Sequence, residues 1–199
     1  MTNELLSDDE VITSVLEGSS RDFEILIHRY SSKIINFING MTADRDEAQS
    51  IAQDVFLKIY QNLPYYEKQN KFSAFIFRIA KNMTLNWLYR QKRTVFFSRL
   101  LGRELDQSPV RQAPSRTDEP EQSERDEKIT QNLRRLPEEQ RIALILKIYL
   151  EFSYKQIQEI SGWSIPKIET LISRAKSRLK KNIELQEKNS GFVLQAREK

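Results

Sequence analysis

Two stretches of this chain carry the residue types that grip nucleic acid. In residues 72–93, Arg78, Lys81, Asn82, Tyr89, Lys92 and Arg93 share one helical face, opposite Phe72, Ile76, Ile79, Ala80, Met83 and Trp87. Arginine and lysine suit phosphates, while asparagine and tyrosine suit base edges and unstacked bases. Just upstream, the polar loop Tyr65 to Lys71 offers Tyr65 and Tyr66 as aromatic platforms for a base flipped out of an opened strand. The second stretch is residues 153–181. There a short helix, a glycine turn and a longer basic helix form a helix-turn-helix pattern.

The longer helix of that pattern divides cleanly. Ile168, Leu171, Ile172, Ala175 and Leu179 fall in one sector, and Pro166, Lys167, Thr170, Ser173, Arg174 and Ser177 fall opposite. The outer face, with Ser164 ahead of it, is small, polar and basic. It fits a major groove about 12 Å wide and reads base edges from its N-terminal half. Lys176, Arg178, Lys180 and Lys181 lie further along, where a groove helix meets phosphates. Taken singly, a basic run can be a solvated face and an aromatic residue a core one. That plainer reading is preferred for Phe72, Trp87, Tyr154 and Trp163, and both readings stay open for Tyr65 and Tyr66.

Catalytic chemistry finds little support. The chain has no cysteine and one histidine, His28, which sits on a helical stripe. Neither a disulfide framework nor a Cys-ligated metal site can be built. There is no Gly-rich phosphate loop, no clustered metal-ligand set and no evident carboxylate pair. No catalytic residue, metal or cofactor is expected. The N-terminus, MTNELLSDDE, lacks the basic start and apolar run of a signal peptide, and no apolar run is long enough for membrane insertion. A cytoplasmic location is expected.

Charge is unevenly spread along the 199 residues, although the net charge is only +4. Residues 1–63 carry five basic and eleven acidic side chains. Lys68 to Arg103 carries nine basic residues and no acid, and Thr170 to Lys181 carries five and none. Between them, residues 104–127 carry eight acids and three bases. Two basic blocks parted by an acidic stretch suggest two separate anionic surfaces to bind.

The elements that must position these residues are helices. Five glycines and six prolines leave long stretches with neither. Asp8 or Asp9 can cap a short helix to Leu16, closed by Gly18. Ser20 starts a second, with Phe23, Leu26, Ile27, Tyr30, Ile34, Phe37 and Ile38 at three-and-four spacing. A third begins near Asp44, buries Ala48, Ile51, Ala52, Val55, Ile59 and Leu63, and ends at Pro64. A fourth runs from about Ser73 to Arg93. Gln107 to Glu127 holds three prolines among charged and small polar residues and reads as a linker. Pro137 then opens a helix at its first position, running to about Leu150. Ser153 and Gln156 form a capping box for the next, and a last helix runs from Ile165 to about Glu187. The expected fold is all-α: two small helical domains joined by a flexible linker, the second holding the helix-turn-helix. The expected boundaries are a first domain 1–95, a linker 96–125, a second domain 126–184 and a polar tail 185–199.

The order of these parts resembles one family. FSAFIFRIAKNMTLNWLYRQKR (Phe72 to Arg93) is similar to the −10-reading helix of extracytoplasmic-function sigma factors. ADRDEAQSIAQDVFLKIYQNL (Ala43 to Leu63) resembles their polymerase-binding helix, and Leu136 to Lys181 resembles their −35-reading domain. The resemblance implies a non-enzymatic subunit that binds core RNA polymerase and directs it to promoter DNA. It implies that the first domain docks on a basic helical coiled coil of the largest polymerase subunit, with Ser50, Gln53 and Asp54 as contact residues. With the faces read above, −10 contacts are expected from Tyr65, Tyr66, Arg78, Lys81, Asn82, Tyr89, Lys92 and Arg93, of which Asn82 matches an asparagine of the family's helix. On the same footing, −35 contacts are expected from Ser164, Pro166, Lys167, Thr170, Ser173, Arg174 and Lys180, with Ser173-Arg174-Ala175 keeping the end of the family motif. An anti-sigma partner is plausible within the family.

The chain departs from the family pattern at several of these sites. Ser50 stands where aspartate is usual, Gln49 where glutamate is common, and Phe75 replaces a common tryptophan. Glu169 stands where lysine is usual and Leu171 where arginine is usual. A DNA-binding regulator acting without polymerase is the competing expectation. It has no need of the aromatic loop or of the second basic helix.

Overall fold

A serine, not an aspartate, opens the first helix. Ser7 accepts from the Glu10 amide, and the Glu10 carboxylate accepts from the Ser7 amide at 2.7 Å. That reciprocal box satisfies two otherwise orphaned donors and starts α1, Asp8–Leu16. The acids expected to cap it, Asp8 and Asp9, lie in its first turn, where the positive end of the helix dipole favours them. The computed structural model describes residues 6–67, 71–100 and 129–196, without the side chains of Val95 and residues 97–100 and 185–196.

A 3-10 turn, Ser20–Asp22, leads into α2, Phe23–Thr42. So the second helix proper begins three residues later than expected from Ser20. It ends on Ala43, a non-glycine residue held at φ 57°. The next residue, Asp44, caps α3, Arg45–Asn62, by accepting from the Glu47 amide at 3.0 Å. Leu63–Tyr65 forms a second 3-10 turn with Pro64 in it. α4 then runs unbroken from Phe72 to Leu100, beyond the expected end near Arg93. Of the expected linker, residues 96–100 are therefore helical backbone, and residues 101–125 lie outside the described residues.

These four helices form one compact unit. Its core joins Val11, Ile12, Leu26, Ile34, Phe37, Ile38, Met41, Ile59, Leu63, Phe72, Ile76 and Phe77. The α3 stripe is buried as its periodicity predicts, with Phe56 added. Two expectations need correcting. Ile27 is exposed, because the α2 stripe turns away from it. On α4 the buried row is Phe72, Ile76, Phe77, Ala80 and Thr84, while Met83 and Trp87 are only half-buried. Thr84 can occupy the core because its hydroxyl donates to the Ala80 carbonyl at 2.7 Å and leaves no unpaired donor.

The second unit starts with a helical segment at 129–134, α5. Leu136 is buried, and Pro137 is the N-cap of α6, Glu138–Leu144, one residue before the expected first-turn position. α6 loosens into a π-helical turn, Ile145–Tyr149, and Glu151 adopts φ 58°. Ile148 and Tyr149 end up exposed there. α7, Tyr154–Ser161, has the expected Ser153–Gln156 capping box and stops on Gly162 at φ 77°, a left-handed conformation that glycine takes without strain. α8, Ile165–Ala196, extends past the expected end near Glu187, so the backbone of residues 185–196, within the expected polar tail, is helical. Among the described residues there is no strand, and no helix is long and apolar enough to cross a membrane.

Candidate nucleic-acid and polymerase interfaces

The α8 face follows the sequence pattern closely. Ile168, Leu171, Ile172 and Ala175 are buried, with α8 packed on α6, and Ile157 and Ile160 of α7 are buried as well. Leu171, which stands where the family usually has arginine, is therefore a core residue here. Ser164, Pro166, Lys167, Thr170, Ser173, Arg174 and Lys180 are all exposed. Lys167, Thr170 and Arg174 recur at three-and-four spacing, so they form one stripe on the helix surface. The Thr170 hydroxyl donates to the Pro166 carbonyl at 2.8 Å. Its proton is thus engaged within the helix. What it offers outward is its methyl group, suited to a thymine methyl, and the remaining oxygen lone pairs.

On α4 the exposed face carries Arg78, Asn82, Tyr89, Lys92 and Arg93, and Lys81 is half-buried. The Arg78 guanidinium lies 5.9 Å from the centre of the Phe75 ring, and the Lys92 ammonium lies 5.6 Å from the centre of the Tyr89 ring. A cation over an aromatic face is held by the ring quadrupole while its other donors stay available.

The loop tyrosines divide. Tyr65 is 83% exposed, whereas Tyr66 is buried. The Tyr66 ring packs against Phe72 and Phe75 at 5.6 and 5.2 Å. Its hydroxyl donates to Asp9 at 3.0 Å and accepts from the Lys71 amide at 3.2 Å. Tyr66 thus anchors the loop from inside, and Tyr65 is the ring presented to solvent. Beside it, Tyr30 donates to Asp8 at 2.5 Å, and Arg29 pairs with the same carboxylate at 2.9 Å. Burial, first of all, and then the Asp8 carboxylate hold the Tyr30 hydroxyl far above the ordinary phenol range. The sequence marked Phe75 only as a replacement for a common tryptophan; its contacts with Tyr66 and Arg78 were not foreseen. The signal was its place three residues before Arg78 on one helix face.

The α3 surface carries Ser50, Gln53 and Asp54, all exposed. Leu57, one turn further, is 58% exposed and makes the same stripe partly apolar. That residue too was missed. An apolar side chain following Asp54 at three-residue spacing outside the buried stripe was the available clue.

Residues 26–94 match the family described as Sigma-70 region 2, and residues 126–179 match Sigma-70 region 4. An RNA polymerase sigma factor of Bacillus subtilis, YlaC, is 30% identical over 164 residues, covering 80% of this chain and 91% of that protein. The chain belongs to the extracytoplasmic-function sigma factors. SigW of Bacillus subtilis, named as one of this group, is 26% identical over 176 residues, covering 86% of this chain and 94% of SigW. The fold of this sigma factor matches RpoE of Bartonella quintana, solved in complex with the anti-sigma factor NepR. The TM-score is 0.67 at 23% identity, with 82% of this chain and 98% of that one covered. In family terms, α3 and α4 as far as residue 94 lie within region 2, and α6 to the middle of α8 lie within region 4.

Proposed function

We propose a division of labour between three exposed helix faces. The chain is a sigma factor that directs promoter-specific initiation by RNA polymerase. Within it, Ser50, Gln53, Asp54 and Leu57 on α3 dock on core polymerase. Tyr65, Phe75, Arg78, Lys81, Asn82, Tyr89, Lys92 and Arg93 hold the melted −10 strand. The α8 stripe of Lys167, Thr170 and Arg174 reads the −35 element, flanked by Ser164, Pro166 and Ser173, while Lys180 holds a phosphate. The protein acts as a non-catalytic subunit in the cytoplasm, with an anti-sigma protein as a regulatory partner. We place the end of the first domain near residue 100, beyond the expected 95, because α4 continues to Leu100, and keep the start of the second near 126. A regulator working without polymerase is disfavoured, because region 2 spans 26–94 and that reading leaves it without a task.

The observation that carries the −10 assignment is the outer face of α4. It presents an arginine, an asparagine, a tyrosine and further cations over a stretch that has no acid from Lys68 to Arg103. Asn82 is its central base-reading candidate. Asn82→Ala reduces open-complex formation at least tenfold, measured by permanganate reactivity of promoter thymines, while closed-complex binding changes much less. Normal thymine reactivity excludes Asn82 from the strand-holding surface.

Groove and phosphate contacts on α8 are separable by their sequence dependence. Arg174→Ala relaxes preference at one base pair of the −35 element, a loss of about 1–3 kcal/mol for a bidentate contact. Lys180→Ala weakens all sequences alike and flattens the salt dependence by about one unit. Holoenzyme binding to a library of −35 variants at several salt concentrations reads both. If Lys180→Ala alters the preferred sequence and Arg174→Ala leaves it intact, α8 lies in the groove in another register.

A further inference from the structure

Lys167, the first cation of the α8 stripe, is held from two sides. Its ammonium donates to the Glu139 carboxylate at 2.8 Å and lies 5.0 Å from the centre of the Trp163 ring. Glu139 comes from the first turn of α6, 28 residues away in sequence. The two charged side chains are 43% and 49% exposed, so the pair adds little to the stability of the fold. An acid in a first turn is favoured by the helix dipole, but Glu138 already occupies that turn. The arrangement matters more for what it does to the lysine. A lysine on its flexible stem ordinarily moves to whichever anion is nearest. Here it is fixed at the start of the groove helix.

We propose that Glu139 is a positioning residue for −35 readout, and that it decides what Lys167 can touch; this rests on the reading of α8 as the groove helix. An ammonium has three donors. One is spent on Glu139, and two remain for acceptors on a guanine edge. To reach a phosphate instead, Lys167 must abandon the carboxylate and leave it facing a polyanion. The pair therefore lowers the attraction common to all sequences by about one charge, and keeps the contact that depends on sequence. Trp163 supports the ammonium from the other side without adding charge.

The test uses holoenzyme assembled from the full chain, bound to promoters altered base by base through the −35 element at several salt concentrations. Glu139→Gln raises affinity for every sequence and steepens the salt slope by about one unit. It also narrows the ratio between preferred and altered promoters several-fold. In a Lys167→Ala background the same substitution leaves that ratio unchanged. A merely structural role for Glu139 weakens binding to all sequences at constant ratio, and that result overturns the proposal. If Lys167→Ala narrows the ratio but Glu139→Gln does not, the proposal fails while the groove reading stands. If Lys167→Ala changes neither ratio nor slope, Lys167 is not at the DNA and the proposal is overturned, while the groove reading is judged by Arg174→Ala.

Discussion

Replacing Phe77 with alanine lowers the stability of the first unit by about 3–5 kcal/mol, the range for deleting a fully buried aromatic ring. Phe77 is completely buried in the second turn of α4, and its ring meets Phe37 of α2 edge-on at 5.8 Å and 90°. Removing it loses the transfer energy, the edge-to-face contact and the packing between two helices. A small domain holds only about 5–15 kcal/mol in total, so most of its margin disappears. The chain has two tryptophans, Trp87 on α4 and Trp163 in the second unit. In a Trp163→Phe background, urea unfolding followed by Trp87 fluorescence reports the first unit alone. Phe77→Leu keeps most of the volume and costs under about 1.5 kcal/mol. A midpoint unchanged by Phe77→Ala contradicts the packing of α4 on α2.

Asp54→Lys weakens core polymerase binding tenfold to a hundredfold and leaves the fold intact. Asp54 is exposed on α3 beside Gln53, with Leu57 one turn on. In the proposed docking its carboxylate faces the basic coiled coil that the family resemblance implies. Reversing the charge removes an attraction and adds a repulsion, together worth about 1.4–3 kcal/mol at a partly desolvated interface. Leu57→Ala, which leaves charge unchanged, costs over about 1 kcal/mol if Leu57 fills an apolar pocket. The two substitutions differ in salt response, since only the charge reversal is relieved by screening. Competition against another sigma factor for limiting core polymerase measures both. Equal occupancy by Asp54→Lys and the parent chain moves the docking surface off this face of α3.

Much of this arrangement was readable in the chain itself. Ser153 and Gln156 predict a capping box, and both of its hydrogen bonds are present. The α8 stripe separated correctly because its inner face is aliphatic and its outer face is polar, so periodicity alone decides it. α4 was harder. Phe77 and Thr84 lie one position off the stripe chosen from hydrophobicity, and a threonine in a core is invisible until its hydroxyl is seen bonded to Ala80. Tyr66 was ambiguous for a related reason. Its burial depends on Asp9, 57 residues away, which no local pattern reports. Glu139 was missed as a partner of Lys167 because the pair forms across two helices. The legible part is what repeats within one helix, and the illegible part is what long-range packing selects.

The length of α4 sets up an uneven helix. Its 29 residues span about 43 Å at 1.5 Å per residue. The buried row stops at Thr84, and from Tyr89 onward every described side chain is exposed. Amides in the packed half open only when the unit opens, whereas those beyond Tyr89 are guarded by the helix–coil equilibrium alone. One continuous helix therefore has two lifetimes. Its base is as durable as the domain, and its outer turns melt and re-form on the microsecond scale of isolated helices. The proposed nucleic-acid surface along this helix is therefore firmer at Arg78 and Asn82 and more adaptable at Lys92 and Arg93.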